Sequence, residues 1–317
     1  MMAAEKKTDY DVIVIGAGPG GMTAALYASR ANLSVLMLDR GIYGGNLNNT
    51  ATIENYPGFK SVKGPELAEK MYQGATQFGA QYAYGTVQEL NVEGDWKVLK
   101  TDMGDTFRAQ AVVIATGSSQ RHLGVPGEEE YGGRGVSYCA VCDGAFFRDQ
   151  HVVVVGGGDS AVEEGTYLAG LASKVSILVR KDHLRAQPLL QEQAKQHDNI
   201  EFVFNTSVTA ITGDDKKVQA VTTVNNQTQE KGQLQADGVF IYVGSVPMTK
   251  PFTKLGILDE HGWVKADTLM QTTQPGIFAI GDVRETPLRQ VATAVGDGAI
   301  AGQQVYHYLQ EKAAVND

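Results

Sequence analysis

Four β-branched residues, Val12-Ile13-Val14-Ile15, follow Asp11 without a polar interruption. An unbroken apolar run of this length predicts a strand over 11–15 that is covered on both faces, as in a parallel sheet, rather than one with a wet side. It runs into Gly16-Ala17-Gly18-Pro19-Gly20-Gly21, after which the spacing predicts a helix over 22–30. A second apolar strand over 34–38 ends on Asp39. Strand, glycine turn, helix, strand and acid, in that order, make a dinucleotide-binding βαβ unit.

The same plan recurs. His151-Val152-Val153-Val154-Val155 leads into Gly156-Gly157-Gly158-Asp159-Ser160-Ala161, a helix is expected through about Leu171, and a strand over 174–179 follows. This second strand ends on Arg180-Lys181 instead of an acid. Apolar runs at 111–115 and 238–243, closing on Thr116-Gly117 and on Gly244, read as the returning strands of the two units. A further strand, Gly276-Ile277-Phe278-Ala279-Ile280, ends in Gly281-Asp282 and is expected to rejoin the first unit. The fold class is therefore α/β, with two Rossmann-like dinucleotide-binding domains, the second inserted into the first. The expected bounds are 1–117 and 249–317 for the first domain and 118–248 for the insert.

Composition fits this plan. The chain has 317 residues, 43% apolar and 20% charged, and 37 glycines, which suits many tight turns and close backbone approaches. Net charge is −9 (27 − 36), which argues against a nucleic-acid partner, since phosphate backbones need clustered cations. Residues 1–10 are polar with no apolar signal core, and no stretch approaches the ~20 apolar residues of a membrane span, so no membrane association is expected and the expected location is the cytoplasm.

Each motif carries its own chemistry. Gly16 allows the tight turn, Gly18 lets the backbone approach a pyrophosphate, and Gly21 allows helix and strand to pack; Pro19 and Gly20 belong to the same turn, and the first amides of the helix that follows hold the diphosphate. Asp39 can accept hydrogen bonds from a ribose and would repel a 2′-phosphate, which favours FAD or NAD. At the second site Gly156, Gly158, Asp159 and Ser160 form the turn. Arg180, Lys181 and Arg185 supply three cations suited to a 2′-phosphate, hence NADPH, although a solvated basic cluster has the same composition. Cys139-Ala140-Val141-Cys142 holds the only two cysteines, a spacing that can close a small disulfide and lower a thiol pKa. Asp143 follows directly; proton exchange with a thiolate and a place in a surface turn are equally compatible with its position. Asp282 at its strand end can bind a ribityl hydroxyl. Arg289-Gln290-Val291-Ala292 precede a helix expected to start near the glycine-spaced Ala294-Val295-Gly296-Asp297-Gly298, whose N-terminus could face the flavin ring. A plain helix cap accounts for each of these residues taken singly.

Together these residues resemble the low-molecular-weight bacterial thioredoxin reductases over nearly the whole chain. The resemblance runs through Gly16 to Gly21, Gly44-Gly45-Asn46, Glu54-Asn55-Tyr56-Pro57-Gly58, Ala115-Thr116-Gly117, Cys139 to Gly144, Gly156 to Glu164, and Gly281-Asp282 with Arg289-Gln290. A C-x-x-C placed inside the nucleotide insert is the most specific of these features. The resemblance implies FAD contacts at Arg40, Gly45, Asn46, Asn55, Thr116, Gly117 and Gly281 besides those above, and an NADPH contact at Glu163. It implies that Cys142 lies next to the flavin, that Cys139 attacks the thioredoxin disulfide, that Asp143 is the acid–base group, and that Arg134 and Phe146 lie near docked thioredoxin. It further implies a homodimer in which one domain swings against the other.

Four positions, Val179, Lys181, Asn46 and Ala145, depart from the family pattern. The usual His-Arg-Arg-x-x-x-Arg run reads Val179-Arg180-Lys181-Asp182-His183-Leu184-Arg185, which keeps three cations but loses some bidentate grip on phosphate. Asn46 stands in place of a Gln, and Ala145 in place of a commonly aromatic residue. The activity expected is electron transfer from NADPH through FAD and the Cys139–Cys142 disulfide to thioredoxin. The competing readings are a flavin dithiol oxidase or ferredoxin-fed reductase of the same fold, and a non-catalytic FAD-binding protein with structural cysteines.

Overall fold

A computed structural model describes residues 9–50 and 52–316; the polar segment 1–8 lies outside the described residues. The chain divides into two compact units, residues 1–119 with 246–317, and residues 120–245.

In chain order the first unit begins with strand β1 (Asp9–Ile15), helix α1 (Pro19–Arg30), β2 (Val35–Asp39), a 3-10 turn (Gly45–Asn49) and α2 (Gly64–Thr76). Then come β3 (Gln81–Tyr84), β4 (Val87–Glu93), β5 (Trp96–Thr101) and β6 (Thr106–Ile114). Short strand β7 (Ser118–Gln120) leads out. The second unit holds β8 (Val136–Ser137), α3 (Ala140–Asp143), β9 (His151–Val155), α4 (Asp159–Ala169), β10 (Lys174–Leu178), α5 (Pro188–Lys195) and β11 (Ile200–Val203). It continues through β12 (Thr206–Gly213), β13 (Val218–Asn225), β14 (Lys231–Gln235) and β15 (Gly238–Ile241). Strand β16 (Ser245–Pro247) leads back and pairs with β7, and β17 (Ile277–Ala279) and α6 (Val291–Asn316) complete the first unit.

The first unit is a seven-stranded sheet, ordered β3-β2-β1-β6-β5-β4 with β17 also on β6. Strands β3, β2, β1, β6 and β17 run parallel, and β4 and β5 are antiparallel additions. The unbroken apolar run in β1 has its reason here. Val12 and Val14 pack on one face with Met22, Ala25, Ala28, Ala301 and Val305 of the helices, while Ile13 and Ile15 pack on the other with Leu90, Leu99, Phe107 and Phe252. With both faces covered from Val12 to Ile15, no position of that run can be polar.

The second unit repeats the three-layer logic. Its parallel sheet runs β11-β10-β9-β15-β8. Val152 and Val154 face α4, while Val153 and Val155 face the antiparallel three-stranded sheet of β12, β13 and β14. Among the described residues no helix is long and apolar enough to cross a membrane.

One expectation is corrected. The last helix does not start at Ala294 but at Val291, so Val291 and Ala292 form its first turn and Gly296 and Gly298 lie inside it. Glycine is needed at 298 for packing, because a Cβ there would collide with the backbone carbonyl of Gly20 on α1. Gly302 is alike: its Cβ would stand 2.6 Å from Tyr27 Cβ. The glycine spacing that suggested a helix start instead lets α6 and α1 approach closely. The other predicted elements differ only at their ends, with α1 starting at Pro19 and β15 stopping at Ile241.

Candidate active site

The motifs singled out in the sequence sit on loops that follow the carboxyl ends of parallel strands, or on the first turns of the helices after them, where open α/β sheets bind ligands. In the first unit these loops follow β1, β2, β6 and β17; in the second they follow β8, β9 and β10. The chain's own hydrogen bonds hold each loop in place.

After β1, Gly16 has φ +107°, and a Cβ on it would clash with the Ala115 carbonyl oxygen. Gly21 has no room for a side chain either, because its Cβ would strike the Gly16 carbonyl. Gly18 differs. It caps α1 with extended backbone, and a Cβ there would meet nothing within 4 Å. Open space beside the first amides of a twelve-residue helix is what a pyrophosphate requires. Pro19 and Gly20 begin that helix, and Gly20 packs against the Ala294 carbonyl of α6.

Asp39 closes the turn from the next strand. Its Oδ2 accepts the Ala17 amide at 2.6 Å and its Oδ1 the Gly41 amide at 2.9 Å. Arg40, with Gly41, Ile42, Tyr43, Tyr82 and Tyr84, lines a pocket beside it. A Cβ on Gly45 would stand 3.4 Å from the Gly18 Cα, and Asn46 beside it is exposed. Asn55 donates to the Gln290 side chain at 3.0 Å, joining two of the expected flavin residues. Thr116 Oγ1 donates to the Met248 carbonyl, and Gly117 has φ +69° with open space around it.

Asp282, after β17, is the most informative carboxylate of this unit. Burial raises its pKa, the Arg289 guanidinium offsets part of the rise, and its carboxylate accepts no hydrogen bond among the described residues. A partly buried acid without a donor fits a ligand hydroxyl, as the sequence led one to expect. Its loop is fixed by a residue that sequence reasoning missed. Asp297 Oδ2 accepts the Gly281 amide at 3.0 Å and pairs with Arg284 Nε at 2.8 Å, both side chains being largely buried. Arg289 Nε donates to the Asp282 carbonyl at 3.5 Å, and its guanidinium lies 3.8 Å from the Trp263 ring centroid.

In the second unit, the Gly156–Gly158 turn repeats the design. Gly156 has φ +151° against the Tyr242 carbonyl, and Gly158 caps α4 with nothing within 4 Å of a Cβ. Asp159 is held by Gln187, whose backbone N–H and side-chain amide both donate to it at 2.8 Å. Ser160 and Glu163 are exposed on the first turns of α4. Arg180, Lys181 and Arg185 are all exposed, and none makes an ion pair within 4 Å among the described residues. Their loop is anchored through backbone: Arg185 N–H donates to the Gly157 carbonyl at 2.7 Å, and Asn226 donates to the Arg180 carbonyl at 2.8 Å. Three exposed cations on a fixed loop, none held in an ion pair among the described residues, suit a phosphate monoester.

Cys139 and Cys142 are joined as a disulfide with Cα atoms 5.3 Å apart. Cys139 caps α3, with the Cys142 N–H donating to its Sγ at 3.2 Å. Cys139 is half-buried and Cys142 exposed. The segment is clamped at three points. Ser137 Oγ accepts the Cys139 N–H at 3.1 Å and donates to Asp143 Oδ2 at 2.6 Å; Tyr242 Oη accepts the Ala140 N–H at 2.9 Å. Arg134 spends its guanidinium on the Asp215 and Glu130 carbonyls at 2.8 and 2.6 Å, and Phe146 is 76% exposed.

Behind Tyr242 lies Glu164 on α4. Its Oε2 is buried with no hydrogen-bond partner, and burial, with a smaller contribution from Glu163, raises its pKa to about 7. The folded protein thus keeps this proton up to about pH 7, whereas the unfolded chain loses it near 4.5. Folding is therefore penalised progressively as pH rises through that window. Glu164→Gln should raise stability at pH 8 by about 1–3 kcal/mol and change it little at pH 4, as read from urea unfolding at the two pH values.

Comparison with known proteins matches this architecture. The sequence profile of the pyridine nucleotide-disulphide oxidoreductases fits residues 10–298. The thioredoxin reductase of Listeria innocua is 55% identical over 310 residues, 98% of this chain and 97% of its own, and that of Bacillus subtilis is 54% identical over 302 residues, 95% of each. Among solved structures, Lactococcus lactis thioredoxin reductase in its FR conformation superposes with a TM-score of 0.94 at 50% identity, covering 95% of this chain and 99% of that one. The chain belongs to the pyridine nucleotide-disulphide oxidoreductase family, whose thioredoxin reductases use FAD and NADPH.

Proposed function

We propose that the protein is an NADPH-dependent thioredoxin-disulfide reductase acting as a cytoplasmic homodimer, with residues 118–248 forming the NADPH domain set into the FAD domain of 1–117 and 249–317. The observation that carries this reading is the Cys139–Cys142 disulfide with Asp143 at its side, placed in the same unit as the Gly156–Gly158 turn and its three unpaired cations. Likeness to thioredoxin reductases over nearly the full chain names the acceptor.

The turn from Gly16 to Gly20 holds the FAD pyrophosphate, Asp39 the adenosine ribose and Asp282 the ribityl chain. Arg40, Gly45, Asn46, Asn55, Thr116, Gly117, Gly281, Arg289, Gln290, Val291 and Ala292 line the remainder. When bound, FAD supplies two-electron transfer from NADPH to the disulfide. Gly156, Gly158, Asp159, Ser160 and Glu163 receive NADPH, with Arg180, Lys181 and Arg185 on its 2′-phosphate. Once reduced, Cys139 attacks the thioredoxin disulfide, Cys142 resolves the mixed disulfide, and Asp143 takes and returns the protons. Arg134 and Phe146 meet the docked thioredoxin.

The test is an anaerobic titration with NADPH and NADH, followed by addition of oxidised thioredoxin. NADPH should bleach the flavin, and thioredoxin should restore its colour. A charge-assisted contact to the 2′-phosphate is worth about 1.5–3 kcal/mol. Arg180→Ala should therefore raise KM for NADPH about tenfold or more, with NADH kinetics nearly unmoved. Equal losses with both nucleotides would mean that Arg180 supports the fold instead.

A further inference from the structure

The structure assigns Ser137 as the residue that positions Asp143 for proton exchange with the dithiol, an inference that rests on the reductase reading above. Ser137 ends β8, paired in register with Phe240 of β15, and is only 5% exposed. Its hydroxyl is therefore fixed by the sheet and shielded from water. That one oxygen joins both ends of the redox segment: it accepts the Cys139 N–H at 3.1 Å and donates to Asp143 Oδ2 at 2.6 Å. The Cys139 carbonyl, at 3.3 Å, is a second acceptor, but it is longer and uncharged. A hydroxyl proton goes to the closer, ionised acceptor.

The geometry divides the labour between the two carboxylate oxygens. Oδ2 is held by the strand, while Oδ1 makes no hydrogen bond among the described residues and is left to carry a proton. As Cys139 becomes a thiolate, its proton passes to Asp143. Cys139 Sγ bonds to one thioredoxin sulfur, the thioredoxin S–S bond breaks, and the departing thiolate takes that proton from Asp143. Cys142 then gives its own proton to Asp143 and attacks Cys139 Sγ, remaking the internal disulfide. The second thioredoxin sulfur leaves and takes that proton. Two electrons and two protons have moved to thioredoxin, with Asp143 ionised again. Each transfer needs the same carboxylate facing successive sulfurs, and a freely rotating Asp143 would meet that need only part of the time.

Nothing in the sequence pointed to Ser137. Serine before a C-x-x-C carries no motif, and its link to Asp143 depends on the chain doubling back over six residues through α3.

The experiment compares wild type, Ser137→Ala, Ser137→Thr, Asp143→Ala and the Ser137→Ala/Asp143→Ala double variant, all as FAD-loaded protein. General acid–base groups contribute about 10²–10⁴-fold, so loss of positioning alone should lower kcat with thioredoxin roughly tenfold. KM for thioredoxin and the rate of flavin bleaching by NADPH should stay at wild-type values, because Ser137 touches neither partner. Ser137→Thr should recover most of the loss. In the Asp143→Ala background, removing the Ser137 hydroxyl should cost nothing further. The proposal is overturned by wild-type kcat in Ser137→Ala, by a raised KM with unchanged kcat, or by an equal fractional loss on top of Asp143→Ala, which would make Ser137 a structural support. Failure of the wild-type protein itself to reduce thioredoxin would instead overturn the reductase reading.

Discussion

Cys139→Ser and Cys142→Ser should each reduce thioredoxin turnover to background while leaving NADPH-driven bleaching of the flavin intact. The chain has only these two cysteines, and they are bonded to each other, so either change removes the sole internal carrier of two electrons beyond the flavin. Hydride transfer from the nicotinamide precedes any sulfur chemistry and does not require them. The two variants should differ in what they trap. If Cys139 attacks thioredoxin, Cys142→Ser leaves a mixed disulfide with no neighbouring thiol to resolve it, and a stable adduct appears on a non-reducing gel. Cys139→Ser should give none. Exposure in the oxidised form favours the opposite order, since Cys142 is the more exposed residue. The resemblance to thioredoxin reductases favours Cys139. An adduct with Cys139→Ser alone would reverse the roles and leave the enzyme class standing, whereas full turnover in either variant would end the mechanism.

Much of the fold was legible because both units are built from strands covered on two faces. A strand such as Val12-Ile13-Val14-Ile15 can only be apolar throughout, and the glycine turn after it can only be glycine where a carbonyl oxygen occupies the Cβ position. The start of α6 was misread for a related reason. Glycines at 296 and 298 suggested a turn, but Gly298 is required by the Gly20 carbonyl of α1, a partner 278 residues away that no local pattern reveals.

The candidate site divides the same way. Strand-end residues such as Asp39, Arg180 and Asp282 announce themselves by position in a repeating plan. Their supports do not. Asp297 looks like an ordinary helix residue until its carboxylate is seen on the Gly281 amide and Arg284. Glu164 reads as one of a pair of exposed helix acids, yet Glu163 is exposed and Glu164 is turned into the unit toward Tyr242. One residue of helical rotation, 100°, separates a solvent face from an interior one.

Gly18→Leu and Gly158→Leu should separate the two nucleotide sites. Both glycines cap a helix, with φ of −76° and −97°, values open to any residue, and at both a Cβ meets nothing within 4 Å. Neither substitution should hinder folding, in contrast to Gly21, where a Cβ would strike the Gly16 carbonyl. What a leucine would fill is the space beside the first helix amides, where a pyrophosphate has to come within about 3 Å of backbone N–H groups. Gly18→Leu should therefore purify as a folded but colourless protein. Its circular dichroism should match wild type, and its thermal midpoint should fall because the stabilisation by bound flavin is gone. Gly158→Leu should purify yellow, with one FAD per chain that dithionite bleaches normally. Losing the pyrophosphate contacts costs at least one charge-assisted hydrogen bond, so its KM for NADPH should rise tenfold or more. NADH should suffer equally, since its pyrophosphate is the same, and that sets this variant apart from Arg180→Ala. A yellow Gly18→Leu protein with full flavin content would show that the first turn does not hold the FAD pyrophosphate. A colourless Gly158→Leu protein would exchange the assignments of the two turns.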